Sequence, residues 1–219
     1  MKPELGAYND FTKQEQLLWQ KVVDQYRRID SGILEYSQLS AKDQDLIDSL
    51  EAGYGPMTAG PECSWYCGGE MYKVTSDTYL PEQGGVSYKP DNIHDFNLFT
   101  AWAPDTTHGV IGKKISFHFK FRSPRVNQVL IYNGYIKNAD LFKANARVKK
   151  FRLYINDVYY ATLELEDVTA QQSFMIDPVR SENKEKDLVL TFEIEEIYPG
   201  SKYRDVVVSE INFSGLDVH

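Results

Sequence analysis

The stretch Asp91–Trp102, DNIHDFNLFTAW, decides how the rest of the chain reads. It packs Asn, Asp and Thr between apolar residues, the pattern of a loop folded on a cation or on a network of turn hydrogen bonds. It runs on into GVIGKKISFHF at 109–119, and a related apolar run, VVVSEINF, closes the chain at 206–213. In residues 114–121, Ile115, Phe117, Phe119 and Phe121 alternate with polar partners, the period of a half-buried strand.

The same period recurs outward from this point. Val129 and Ile131 form one run with Leu130 and Tyr132 beside them. Phe151, Leu153 and Ile155 alternate with Arg152, Tyr154 and Asn156. Leu188, Leu190, Phe192 and Ile194 do so up to Glu196. Asn156-Asp157 between two runs predicts a tight hairpin turn. Near the end, Val206, Val208 and Glu210 share one parity while Ile211 and Phe213 keep the other, which predicts a bulge near Ser209. Strands joined by turns with no intervening helices predict a mainly β protein, an antiparallel jelly-roll β-sandwich.

Residues 1–55 read differently. Thr12 with Glu15 is a capping box, and Leu18, Val22, Tyr26 and Ile29 follow at helical spacing with Leu17 and Trp19 beside them. Asp30-Ser31-Gly32 ends that helix. Ser40 with Asp43 starts a second, with Leu46, Ile47 and Leu50 apolar and Gly53 at its end. Such a hairpin cannot bury both faces alone, so it must dock on the chain or on a partner. The expected division is a helical hairpin segment at 1–55, a Gly/Pro/Cys connector at 56–70 and a sandwich at 71–219.

The connector holds Cys63 and Cys67 in GPECSWYCGG. The spacing is not C-x-x-C, and no His cluster completes a zinc site. Two readings stand: a disulfide closing a small loop, which we expect, or two reduced thiols in a buried turn. A disulfide would place the protein in an oxidising compartment.

The chain has 219 residues and a formal net charge of -8. That charge argues against a nucleic-acid partner, which needs a basic face, and against an anionic membrane surface. No apolar run approaches the roughly 20 residues of a spanning helix. The start, MKPELGAYNDF, has no apolar signal core, so the expectation is a cytosolic protein or a mature one whose signal is removed.

Catalytic patterns are weak. Glu193, Glu195 and Glu196 lie along a strand, where neighbours point to opposite faces, and read as a solvated edge. Gly109-x-x-Gly112 opens a strand and not a helix, so it is no phosphate loop. Sugars are held by aromatic faces with planar polar groups that fork onto hydroxyls, the kind of recognition that the resemblance given below implies. On the loops, Tyr135, Lys137, Asn145, Arg147, Tyr203, Arg204 and Asp205 offer these groups. The bland alternative has Asn145 bracing its loop and Arg147 paired internally with Asp205.

Residues 72–214 resemble the discoidin-like (coagulation-factor type C, galactose-binding-like) domains. The resemblance rests on Asn92-Ile93-His94-Asp95, Thr100-Ala101-Trp102, Gly109-x-x-Gly112, Ile131–Tyr135 with Lys137, Asn145-x-Arg147-Val148-Lys149, Ile197–Asp205 and Ser209-Glu210-Ile211. Within that superfamily it is most similar to the glycan-binding translocation domain that accompanies streptococcal NAD-glycohydrolase; nothing here matches the hydrolase itself. The resemblance implies a non-catalytic module of a secreted or cell-envelope protein that binds a glycan or polysaccharide through its end loops. The alternative is a protein-protein interaction or assembly module using those loops or the N-terminal helices. It further implies a structural Ca2+ held by Asp95, Asn97 through its carbonyl, Thr100 and Glu210. Without a metal, Asp95 and Thr100 cap the loop and Glu210 pairs with a neighbouring Arg or Lys. Phe96 stands where glycine is common in that loop, and Trp102 reads as a core plug beneath it.

Overall fold

The computed structural model describes residues 1–6, 12–49, 65 and 71–217. Cys63, Cys67 and the rest of the connector apart from Trp65 lie outside these residues, as do Leu50, Gly53 and the side chain of Trp19.

Nine strands occur among the described residues, in two antiparallel sheets. The first has the order β1 (Glu4–Leu5), β7 (Gln172–Val179), β4 (Val126–Asn133), β9 (Val208–Gly215). The second has β2 (Met71–Ser76), β3 (Lys114–Phe119), β8 (Leu188–Tyr198), β5 (Arg147–Ile155), β6 (Val158–Glu164). The expected sandwich is present. Ile115, Phe117 and Phe119 point inward as their period requires and are buried. Strand β3 stops there, so Phe121 falls in a turn, half-buried, with the Arg122 guanidinium over its ring. Across the core, Phe213 meets Phe117 and Phe119 edge to face at 4.9 and 5.0 Å.

The turn at Asn156-Asp157 has φ of 49° and 68°, the left-handed pair a two-residue hairpin needs. Strand β9 carries the predicted bulge: Tyr132 pairs with Glu210 and Asn133 with Val208, leaving Ser209 as the extra residue. Its hydroxyl donates to the Gly134 carbonyl at 2.9 Å and accepts from the Ile136 amide at 3.2 Å, so the bulge is held at both ends. Every residue from Val206 to Phe213 is buried. This strand lacks clean alternation because both its faces are covered, one by the core and one by the 91–102 loop.

Helix α1 (Lys13–Asp30) starts directly after Thr12, and Gly32 follows its end with φ of 70°. Helix α2 (Ala41–Ser49) is capped by Ser40, whose hydroxyl accepts from the Asp43 amide at 3.2 Å. The hairpin docks on the chain. Val22 and Ile47 are buried against Leu98, Phe99, Tyr132, Ile136 and Phe142, with Tyr26, Ile29, Leu39 and Leu46 packed around them. Leu17 and Leu18 stay exposed.

Two features carry no periodic signal in the sequence. Strand β1 pairs Glu4 with Ser173 and Leu5 with Gln172, while the Met1 carbonyl accepts from the Glu164 amide on β6. The first six residues thus tie the two sheets together. Trp65, within the connector, is a core residue that packs on Phe119 and donates to the Arg125 carbonyl.

Candidate functional site: an end-loop groove and a carboxylate loop

Strand β4 ends at Asn133, which donates to the Val148 carbonyl and accepts from its amide, locking the β4 and β5 ends together. Gly134 follows with φ of 80°. A Cβ there would lie 2.6 Å from Arg147 Cγ, so glycine is required on both counts. Helix α3 (Ala139–Ala144) then begins under an Asn138 cap.

This packing turns three of the expected ligand groups inward. Tyr135 is buried; its hydroxyl donates to the Phe99 carbonyl, its ring meets Tyr88 edge to face, and burial pushes its pKa up to about 12. The buried Asn145 side chain donates to the Leu141 carbonyl and braces the end of α3. Arg147 is buried over the Phe142 ring. It forks onto Asp167 and donates to the Asn145 and Pro199 carbonyls. Its partner is therefore Asp167 and not Asp205. All three side chains are buried and hydrogen-bonded within the protein.

The remaining four lie further out. Lys137 and Asp205 are half-buried, and Tyr203 and Arg204 are exposed. Tyr203 and Arg204 line an open groove of about 460 Å³ between the Thr106–Val110 turn and the Ile197–Arg204 segment, floored by Ala146. Its walls are rigidly supplied. Ser201 N donates to the Lys143 carbonyl at 2.9 Å and Tyr203 N to the Ala144 carbonyl at 2.8 Å. A Cβ on Gly200 would lie 2.4 Å from the Tyr203 carbonyl, so the segment lies flat on α3. On the other wall, Gly109 and Gly112 have φ of 90° and 86°, and Asp105 accepts from the Thr107 amide and hydroxyl. The glycine pair was visible in the sequence. That its turn faces the 197–204 segment was not.

The carboxylate loop sits beside β9. Thr100 Oγ1 lies 2.8 Å from each Asp95 carboxylate oxygen and 2.7 Å from the Asn97 carbonyl. Asn97 N donates to Asp95 Oδ1, and the Asp95 amide donates to Glu210 Oε1 at 2.9 Å. The four expected residues therefore converge. Glu210 is fully buried; among the described residues no basic side chain pairs with it and its Oε2 has no hydrogen-bond partner. Burial first, and then the Asp95 charge, raises its pKa well above the usual carboxylate range; burial also raises that of Asp95. Phe96 takes φ of 57°, the left-handed conformation that glycine adopts freely, with its ring 5.0 Å from His94. Burial brings the His94 pKa down to about 4, so the ring is neutral at pH 7. Two adjacent carboxylates, one with an orphaned buried oxygen, together with a hydroxyl and a carbonyl, are an all-oxygen donor set that fits a hard cation.

A family model described as the NAD glycohydrolase translocation F5/8 type C domain matches residues 65–214. No curated protein matches the chain. Similar solved structures include a CBM32 domain from Clostridium perfringens in complex with GalNAc-β-1,3-galactose. It shares 12% identity at a TM-score of 0.46, with 64% of this chain and 93% of that one covered. The family 32 carbohydrate-binding module from Streptococcus pneumoniae EndoD shares 9% identity at a TM-score of 0.48, covering 68% and 99%. The arabinofuranosyltransferase AftD from Mycobacteria shares 11% at 0.48; the match covers 69% of this chain and 11% of that much longer one.

Proposed function

This chain belongs to the NAD glycohydrolase translocation F5/8 type C domain family, and we propose that it is a non-catalytic glycan-binding module of a secreted or cell-envelope protein. The observation that carries this reading is the groove of about 460 Å³ with an exposed Tyr203 ring and Arg204 guanidinium on a pinned segment. Its size lies in the range of small-molecule sites. An aromatic ring stacks on the apolar face of a sugar, and a guanidinium donates to its oxygens. Rigid walls lower the ordering cost of binding.

The module performs no covalent chemistry in this reading. Glu193, Glu195 and Glu196 are held in ion pairs with Lys114, Arg152, Lys149 and Lys150. Asp95, the Asn97 carbonyl, Thr100 and Glu210 would hold a structural Ca2+, whose charge would offset the buried carboxylates and fix the loop over β9.

A glycan array of the folded protein in calcium, repeated with Tyr203→Ala, tests the reading. A consistent family of glycans that Tyr203→Ala no longer retains supports it; a blank array defeats it. One observation favours a second reading, a protein-docking module. Leu17 and Ile33 on the helical segment are 73% and 70% exposed. A protein partner that survives Tyr203→Ala and is lost in Leu17→Asp with Ile33→Asp, at an unchanged melting temperature, would establish that role.

A further inference from the structure

We infer that the groove selects an acidic saccharide, its carboxylate or sulfate seated on Arg204; this rests on the glycan-binding reading above. Among the described residues that line the groove, Arg204 is the only charged one; Asp105, which precedes Thr106 in the opposite turn, does not line it. Among the described residues its guanidinium has no carboxylate partner. Arg125, Arg147, Arg152 and Arg180 each pair with Asp or Glu; among the described residues Arg28 and Arg122 share the lack of such a pair, but neither lines the groove. In a chain of net charge -8, an exposed guanidinium without such a partner is a local inversion of sign.

Among the described residues the lining side chains are also poor in acceptors: a neutral sugar's hydroxyl protons are commonly taken by carboxylate or amide oxygens, and the side chains here supply only the Thr106 and Tyr203 hydroxyls. A ligand carrying its own anionic oxygens suits a wall of donors, and the guanidinium fork matches a carboxylate with two parallel hydrogen bonds. Lys202 strengthens the field, its ammonium 4.9 Å from the centre of the Tyr203 ring. The nearest carboxylate in sequence, Asp205, does not line the groove; its charge acts on Tyr88, whose pKa it helps burial to raise.

The test is an amide-resolved NMR titration with matched oligosaccharides: lactose, sialyllactose, sulfated lactose, and a glucuronate-containing disaccharide beside its glucose counterpart. We expect the acidic sugars to bind at least about tenfold tighter than the neutral ones, shifting the amides of 200–204. Arg204→Gln should erase that difference while leaving the spectrum folded, and Arg204→Lys should keep part of it. Preference for sulfated over carboxylated sugars would support the seat and name sulfate as its source. Equal binding of neutral and acidic sugars at these amides would overturn the acidic selectivity and leave glycan binding standing. An acidic preference that survives Arg204→Gln would overturn the assignment to Arg204. No sugar moving these amides would remove both readings.

Discussion

The Arg147 guanidinium and the Asp167 carboxylate meet as a two-pronged pair, Nε to Oδ1 at 2.9 Å and Nη2 to Oδ2 at 2.7 Å. The arginine is buried beneath the segment that walls the groove, while Asp167 keeps contact with water. Arg147→Ala removes a donor from the Asn145 and Pro199 carbonyls as well as the pair, and should lower stability by about 3 kcal/mol. Asp167→Asn keeps part of the hydrogen bonding and should lose less. Urea unfolding checks both; a loss under about 1 kcal/mol for Arg147→Ala would mean that the pair does not hold the loop.

Calcium should raise the melting temperature, because a ligand bound only by the folded state stabilises it, by about 2.7 kcal/mol at a hundredfold excess over Kd. Glu210→Gln should abolish that response. In chelator, the same variant should be at least as stable as the parent, since it replaces a buried carboxyl group held beside the Asp95 charge by a neutral amide. A parent protein whose melting is indifferent to calcium would rule the cation out.

Tyr135 makes stability sensitive to alkali. Its folded pKa is raised to about 12 from an unfolded value of 10.0, so the neutral form is favoured in the fold. Its contribution is complete below pH 10 and is lost as pH climbs from 10 through 12, about 3 kcal/mol in all. Tyr135→Phe should cut the loss over that window and change neutral-pH stability by under about 1 kcal/mol, because the hydroxyl's bond to Phe99 is long at 3.3 Å. Denaturant midpoints from pH 8 to 12 test this.

Gly200→Ala should damage the groove more than the fold. The added methyl meets three backbone atoms within 2.5 Å, so the 199–204 segment must lift off α3. A tenfold or greater loss of sugar affinity with the core amide spectrum intact is the expected outcome. Unchanged affinity would show that binding does not depend on this segment.

Removing residues 1–49 should expose Leu98, Phe99, Tyr132, Ile136 and Phe142 together. The truncated protein should bind an apolar dye and melt lower than the full chain. Trp65→Ala should be costly by another route, about 3–5 kcal/mol from a large buried ring.

The strands were legible because one buried face writes a period of two: Ile115, Phe117 and Phe119 show it, and the Ser209 bulge shows where it slips. Strand β9 obscured its own pattern by burying Glu210 and Asn212 opposite Ile211 and Phe213. At the site, chemistry was legible and direction was not. Tyr135, Asn145 and Arg147 are the residue types that grip a sugar, and the same donors serve equally well inside a loop. The Asp167 that claims Arg147 is twenty residues away on a separate turn, with no spacing to announce it. Trp65 was hidden in a Gly/Pro-rich stretch, where no apolar period marks a core residue.

Strand β9 sets the order in which the fold can be completed. Phe213 closes the core between the sheets, Glu210 completes the carboxylate loop begun at Asp95, and Gly215 lies against Arg125 and Trp65. All three unite segments ninety or more residues apart. During synthesis the preceding strands must wait, with the β4 edge unsatisfied, until residues 208–215 have been made. Such distant pairings belong to chains that fold in milliseconds to seconds, so the slow step should be the arrival of this strand, and the carboxylate loop should take shape together with it.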